Sequence, residues 1–270
     1  MGDLLDALGL YARLVRARVR AQLQYRGSVV IETVAVVIGT FFDFVVILIL
    51  FTNVPRLADW SLWEVALLYG IATLSFALTD LVVGHLDLFP QLIRDGNFDL
   101  VLVRPRTTLL QIVTRDFQLR RLGKALQGLV ILAYAVSQLP IAWTPDRVIV
   151  LGIAPIAGAV IFGGVWVAVI SVSFWTVDAN EVANAFTYGG QTLAQYPMNI
   201  YDRWMRRFLA YVIPTAFVSY FPALYVLGRP DPLGLPQWLQ LASPAVAVAV
   251  LVAAGTVWGF AVRHYRSAGG

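Results

Sequence analysis

Apolar residues along this chain gather into six long runs, near Ser28 to Thr52, Trp63 to His85, Leu122 to Leu139, Val148 to Trp175, Phe208 to Gly228 and Leu241 to Val262, with arginine-bearing polar stretches between them. A helix crossing about 30 Å of hydrocarbon needs roughly 20 apolar residues, so the pattern predicts six membrane-spanning helices. The third run is the shortest. The fourth is long enough to tilt, or to break at Pro155. Ahead of the first run, Leu4, Leu8, Tyr11, Val15 and Val19 recur at helical spacing while Arg13, Arg16 and Arg20 fall on another face. This predicts an amphipathic helix over residues 1–26 that lies on the inner leaflet or packs on another subunit. The expectation is an all-α integral membrane protein, with that interfacial helix at 1–26, one six-helix domain over 27–270, and cytoplasmic segments at 87–121 and 176–207.

Composition agrees with a chain whose solvent is lipid. Hydrophobic residues make up 59% and charged ones 13%, with a mean hydropathy of +0.73, too little polar side chain to cover a water-facing globule of 270 residues. The absence of cysteine excludes disulfides, cysteine-held metals and thiolate nucleophiles, and two isolated histidines make a metal site unexpected. A net charge of +4 could suit nucleic acid, but the basic residues sit between apolar runs and not on one face, so no such partner is expected. The opening MGDLLDALGL has no charged region leading into a short apolar core and a small-residue cleavage site, so no removable signal peptide is expected.

Charge then orients the spans. Of the 20 basic residues, all but Arg56, Arg147 and Arg229 fall in segments that share a side with the N-terminus if six spans alternate. Arginine and lysine favour the cytoplasmic side, which places both termini inside. Trp60, Trp63, Trp143, Trp204, Trp238 and Tyr265 cluster towards span ends, as an interfacial belt requires.

Catalytic chemistry is missing. The one Gly-Lys pair, Gly123-Lys124, has Gln118 where a phosphate-cradling loop needs its first glycine and Ala125 where it needs Ser or Thr, so hydrolysis of ATP by this chain alone is not expected. There is no G-x-S-x-G elbow and no H-E-x-x-H pair. Carboxylates within spans are costly and invite a functional reading. Glu32 and Asp43, three helical turns apart, share a face with Ser28 and Gly39, a stripe that could line a substrate route or carry protons, or could pair with a group on another subunit. Asp80 and His85 sit near the inner end of the second span, as candidates for the same route or as boundary residues reaching headgroups or the next loop. Ala154 and Gly158, Ala159 and Gly163, and Gly255 and Gly259 permit close helix packing.

Read in order, the chain carries Tyr25-Arg26, Leu68-Tyr69-Gly70, then Gly96, Asp99, Leu102 and Arg104-Pro105, and Phe174-Trp175. Tyr196-Pro197, Ile200-Tyr201, Ile213-Pro214, Phe217, Tyr220 and Pro222 follow, with Tyr265, Ser267, Ala268 and Gly269 at the end. Over nearly its whole length this resembles the membrane subunits of bacterial type-2 ATP-binding-cassette exporters, in which two sister permeases pair with a separate ATPase. It departs in ending Ala-Gly-Gly where those chains tend to end Ala-Gly-Ser. The resemblance implies an inner-membrane permease of six helices with an elbow helix, paired with a second permease, membrane lipids and an ATPase dimer that binds ATP and magnesium, this chain itself holding no cofactor. It further implies that Phe89 to Leu102 is the coupling segment, with Leu92 and Ile93 plugging a groove of the ATPase beside Phe89 while Arg94, Asp95 and Asp99 fix its rim. The first, second and fifth spans would line the substrate path, with helix breaks at Pro214 and Pro222.

Other readings remain open on sequence grounds: an ion-coupled carrier or channel using Glu32 and Asp43, a membrane enzyme acting on lipid-linked substrates, or a scaffold subunit. The short outer loops favour a lipid-soluble or amphiphilic cargo.

Overall fold

The computed structural model describes residues 9, 13, 16–114, 118–176, 179–232 and 234–265, and among these there is no β-strand, only an isolated bridge between Leu57 and Trp60. The α-helices in chain order are α1 (Arg26–Asn53), α2 (Leu62–Val83), α3 (Phe89–Arg94), α4 (Asp99–Leu102), α5 (Thr108–Val113), α6 (Arg121–Gln138), α7 (Pro145–Ile170), α8 (Ala179–Ala194), α9 (Arg203–Arg207), α10 (Tyr220–Leu227) and α11 (Ser243–Arg263). Half of the expected N-terminal helix at 1–26 lies outside the described residues. Residues 16–23 are helical, and a turn at Gln24 and Tyr25 separates them from α1.

Local chemistry explains where several helices begin and end. Ser61 caps α2 reciprocally: its hydroxyl accepts from the Glu64 N–H at 3.5 Å, and the Glu64 carboxylate accepts from the Ser61 N–H at 2.7 Å. Pro145 sits in the first turn of α7, where its missing N–H costs nothing. Pro155 lies inside α7 without ending it, so the anticipated break there does not occur. Gly228 closes α10 in the left-handed conformation at φ 67°.

Helix α2 is the axis of the bundle and packs most extensively on α6, then on α7. Backbone meets backbone at that first contact: a Cβ added to Gly70 would lie 2.8 Å from Leu132 Cα, and one added to Gly128 would lie 2.9 Å from Leu74 N. Glycine on each helix, facing the other, is what permits this approach in a solvent where helix association depends on packing. Helix α1 is peripheral, with only 11% of its apolar window buried against 72% for the span that begins with α2. It leans on α6, where the Thr40 hydroxyl bonds Gln127, and the Tyr69 hydroxyl donates to the Thr40 carbonyl at 3.2 Å.

Two ends of the bundle can be told apart. One holds the α1–α2 turn at residues 54–61, the start of α7 and the chain leading into α11. There Arg229 pairs with Glu64 at 3.0 Å, and the Tyr225 hydroxyl donates to Asp146 at 2.7 Å. The other holds residues 84–114 and 118–121 together with the ends of α7 and α11. By length and composition four helices could cross a membrane: α1, α2 with its extension to Arg94, α7 with its extension to Phe174, and α11. Helix α6, at 18 residues with Arg121 and Lys124 in its first turn, spans less than its apolar neighbours.

The fifth span expected at Phe208 to Gly228, with breaks at Pro214 and Pro222, is a bent pair, Arg203–Val212 and Thr215–Leu227, which meet at 74°. Both of its ends lie at the Glu64 end of the bundle. The Asn199 amide donates to the Ala58 carbonyl at 2.9 Å before the pair, and Arg229 meets Glu64 after it. Between them the chain dips inward: the Ser219 hydroxyl bonds the Ala194 carbonyl at 2.5 Å, and Val218 lies against Gly158 in the middle of α7. Pro214, at the bend, has no N–H for a helix to lose, whereas Pro222 sits inside α10 and breaks nothing.

Residues 176–207, expected as one cytoplasmic segment, are divided by the same geometry. Helix α8 starts just after Trp175 and packs on α7 and α2. Its Gln195 extension donates to the Thr73 hydroxyl at 3.3 Å, half-way along α2, and the chain then continues to Ala58. A hydropathy reading passes over α8 because ANEVANAFTYGGQTLA is half polar. Two of those polar groups, Tyr188 and Gln191, find partners on other elements in Asp87 and Lys124, which is the condition for tolerating them there.

Candidate coupling site

At the end opposite Glu64, α2 runs on as a 3-10 turn, Gly84–Leu88, into α3, and Pro90 starts that helix. A turn with Gly96 at φ 69° leads to α4, and residues 103–107 lead to α5. The segment is two-faced. Phe89, Leu92, Ile93, Phe98, Val101 and Ile112 point inward, while Leu88, Gln91, Arg94, Asp95 and Leu100, followed by Leu102 through Arg106, are exposed. Leu92 and Ile93, expected to plug a partner's groove, are only 8% and 9% exposed and belong to this chain's own core. The apolar side chains presented outward are Leu88, 59% exposed, Leu100, 60%, Leu102, 41%, and Val103, 80%, the most exposed of them, and Arg94, Arg104 and Arg106 are exposed along the same segment. Asp95 is exposed and Asp99 half-buried in the first turn of α4.

Five rings hold this segment to the spans. Phe89 stands 5.1 Å from Phe174 at the end of α7's extension and 5.1 Å from Trp258 of α11. Phe98 stands 5.2 Å from Phe174 and 4.9 Å from Tyr265, mostly edge to face. Such pairs add about 0.5–1.5 kcal/mol each beyond the area they bury. Hydrogen bonds stiffen the outer turn: the Gln111 amide donates to the carbonyls of Val101, at 3.1 Å, and Arg106, at 2.9 Å, and His85 Nε2 bonds the Ile112 carbonyl at 2.7 Å. Trp258 Nε1 donates to the Thr108 hydroxyl at 3.1 Å. Phe89 and Phe98 thus pack α3 and the start of α4 against the ends of α7 and α11.

A polar latch closes the other flank. Asp80, a candidate for the substrate route, instead pairs with Arg121 at 3.5 Å, and Arg121 also donates to the Asp80 carbonyl at 2.5 Å. The pair joins the last turn of α2 to the first turn of α6 across the whole intervening segment. Lys124 lies 4.5 Å over the Phe76 ring and donates to Gln191 of α8 at 3.0 Å, and the Tyr188 hydroxyl donates to Asp87 at 3.2 Å. Helices α2, α6 and α8 are thus tied beside the segment.

The α1 stripe is elsewhere. Glu32, Gly39 and Asp43 are exposed on α1, and Glu32 accepts from Ser28 at 3.0 Å. Glu32 lines a cleft of about 460 Å³ with Tyr25, Val29, Arg18 and Arg120 at the segment's end of the bundle. No group of three His, Asp or Glu suited to a metal occurs among the described residues. Sequence reasoning missed Leu100 and Val103 as the outward ridge, although their three-residue spacing on a short helix was a usable signal.

Among curated proteins and solved structures no match is found. The family model described as ABC-2 family transporter protein matches residues 37–269, from the middle of α1 through the aromatic cluster to the C-terminal residues. The chain therefore belongs to the ABC-2 transporter family, as a multi-pass membrane permease of the kind that works with an ABC ATPase.

Proposed function

We propose that this chain is one of two permeases in an ATP-driven exporter, and that the Leu100–Val103 ridge is where a separate ATPase dimer grips it. Six crossings, α1, α2, α6, α7, α8 and α11, put both termini in the cytoplasm, and residues 16–23 form the end of an elbow helix whose Gln22 accepts from the Leu119 N–H at 2.9 Å. On this reading Arg203, Arg206 and Arg207 move to the outer side, which narrows the charge bias without reversing it. ATP and magnesium stay on the ATPase, and the exposed face of α1, with Glu32, Gly39 and Asp43, is left for the second permease or the path between the two.

The observation that carries the reading is the aromatic cluster. A segment that exposes an apolar ridge rimmed by arginine is joined through Phe89 and Phe98 to two spans that lie far apart in sequence. When two ATPase subunits close on ATP, the push on the ridge reaches α7 and α11 as a rigid displacement. The work enters as the ATPase's differential affinity for two permease states. The test is co-purification from native membranes. The wild-type chain should bring down a P-loop ATPase and a second permease with vanadate-sensitive hydrolysis, and Val103→Glu should lose the ATPase while keeping the permease. Retention of the ATPase by Val103→Glu would reject the ridge as its docking element.

A further inference from the structure

At the Glu64 end of the bundle, the descending arm of the bent pair carries Arg203, Arg206 and Arg207, spaced to fall on one helical face. All three line a cavity of about 320 Å³ between the two arms. None of them forms an ion pair among the described residues, where the ion pairs are Asp80–Arg121 and Glu64–Arg229. No carboxylate among the described residues lies within ion-pair distance of them. Asp231 accepts from the Tyr220 hydroxyl at 2.8 Å and from the Leu235 N–H at 3.3 Å, and Asp202 is exposed and does not line the cavity. Three like charges on adjacent turns repel one another unless an anion lies between them.

The rest of the cavity wall is apolar or aromatic and includes Met198, Ala210, Tyr211, Phe221 and Leu235. Trp204 and Tyr211, on the same arm, are 65% and 79% exposed, as side chains at the headgroup level of a bilayer are. An inorganic ion would use the guanidinium groups and leave this wall empty. An uncharged lipid would do the reverse. Planar, forked donors suit phosphate oxygens in pairs.

We infer that this cavity binds an amphiphile with a phosphate-bearing anionic head, the head held by Arg203, Arg206 and Arg207 and the start of its chain lying along Phe221 and Leu235. The same chemistry could arrive as a resident bilayer lipid or as cargo. The proposal concerns this end of the bundle alone and stands whether or not the opposite ridge meets an ATPase.

The experiment is equilibrium binding to the purified full chain in nanodiscs of phosphatidylcholine. The probes are lysophosphatidic acid and lysophosphatidylcholine of one chain length. The wild type should hold lysophosphatidic acid at least tenfold more tightly, with the preference shrinking as salt rises. Replacing all three arginines by glutamine should abolish the preference, and replacing them by lysine should keep part of it, which separates loss of charge from loss of fold. Equal affinity for the two probes in the wild type, or an unchanged preference in the glutamine variant, overturns the assignment. With the site established, the assembled transporter divides the sources. Stimulation of ATPase activity by added lysophosphatidic acid marks cargo, and its absence with binding retained marks a resident lipid.

Discussion

The side-chain amide of Asn199 donates to the main-chain carbonyl of Ala58 across 2.9 Å, joining the residue that precedes the bent pair to the turn between α1 and α2. A residue expected at the opposite end of the bundle is thereby placed beside the turn between α1 and α2. With Arg229 on Glu64 after the pair, the chain enters and leaves the bundle at one end.

Because the chain has no cysteine, single cysteines report this directly. Cysteine at Arg56 and cysteine at Trp204 should react with a membrane-impermeant maleimide from the same side, and cysteine at Val103 only from the other. Labelling of Trp204→Cys from the side of Val103→Cys would restore the fifth crossing expected at Phe208 to Gly228.

How far the sequence carried depends on what each helix touches. The runs behind α1, α2, α7 and α11 are apolar on nearly every face, and hydropathy finds such helices whatever surrounds them. Helix α8 escaped because Gln191, Gln195 and Tyr188 are satisfied by Lys124, Thr73 and Asp87, partners distant in sequence. The Phe208 to Gly228 run misled for the converse reason, since burial against protein selects the same side chains as burial in lipid. At the site, the family resemblance pointed to the segment from Phe89 to Leu102, but which of its apolar residues face outward is set by Phe174, Trp258 and Tyr265. Leu92 and Ile93 are claimed by that core, and Leu100 and Val103 are left outside.

The contact between α2 and α6 should be intolerant of volume. Gly70→Val would force a side chain onto Leu132 Cα, and overpacking of this kind costs about 1–3 kcal/mol or more. Gly39→Val on α1, where nothing lies within 4 Å, should change stability by less than about 0.5 kcal/mol. Thermal unfolding in one detergent compares the two; equal losses would mean that α2 and α6 do not approach as described.

The Asp80–Arg121 latch has side chains 17% and 14% exposed, so removing one partner strands a charge that water reaches poorly. Asp80→Asn and Arg121→Gln should each destabilise by about 2 kcal/mol, below the range for fully buried pairs because of that residual exposure. The double variant should cost less than the sum of the two, the mark of a direct interaction in a double-mutant cycle. Strict additivity would instead assign the two effects to separate causes.

Phe98 offers the sharpest separation of stability from coupling. Its ring is fully buried and meets Phe89, Phe174 and Tyr265, so Phe98→Ala opens a cavity worth about 3 kcal/mol at the joint between the segment and the spans. The outward ridge of Leu100 and Val103 is not touched by this change. If the ridge receives the ATPase and the rings transmit its movement, Phe98→Ala should still co-purify with the ATPase and hydrolyse ATP within about twofold of wild type, while transport per ATP falls at least tenfold. Val103→Glu should lose the ATPase itself while keeping the second permease. Phe98→Leu, which refills most of the volume without an aromatic edge, should recover a large part of the transport if rigidity is what matters. Loss of transport and hydrolysis in parallel for Phe98→Ala, with assembly intact, would show that the cluster supports the fold but does not carry the stroke.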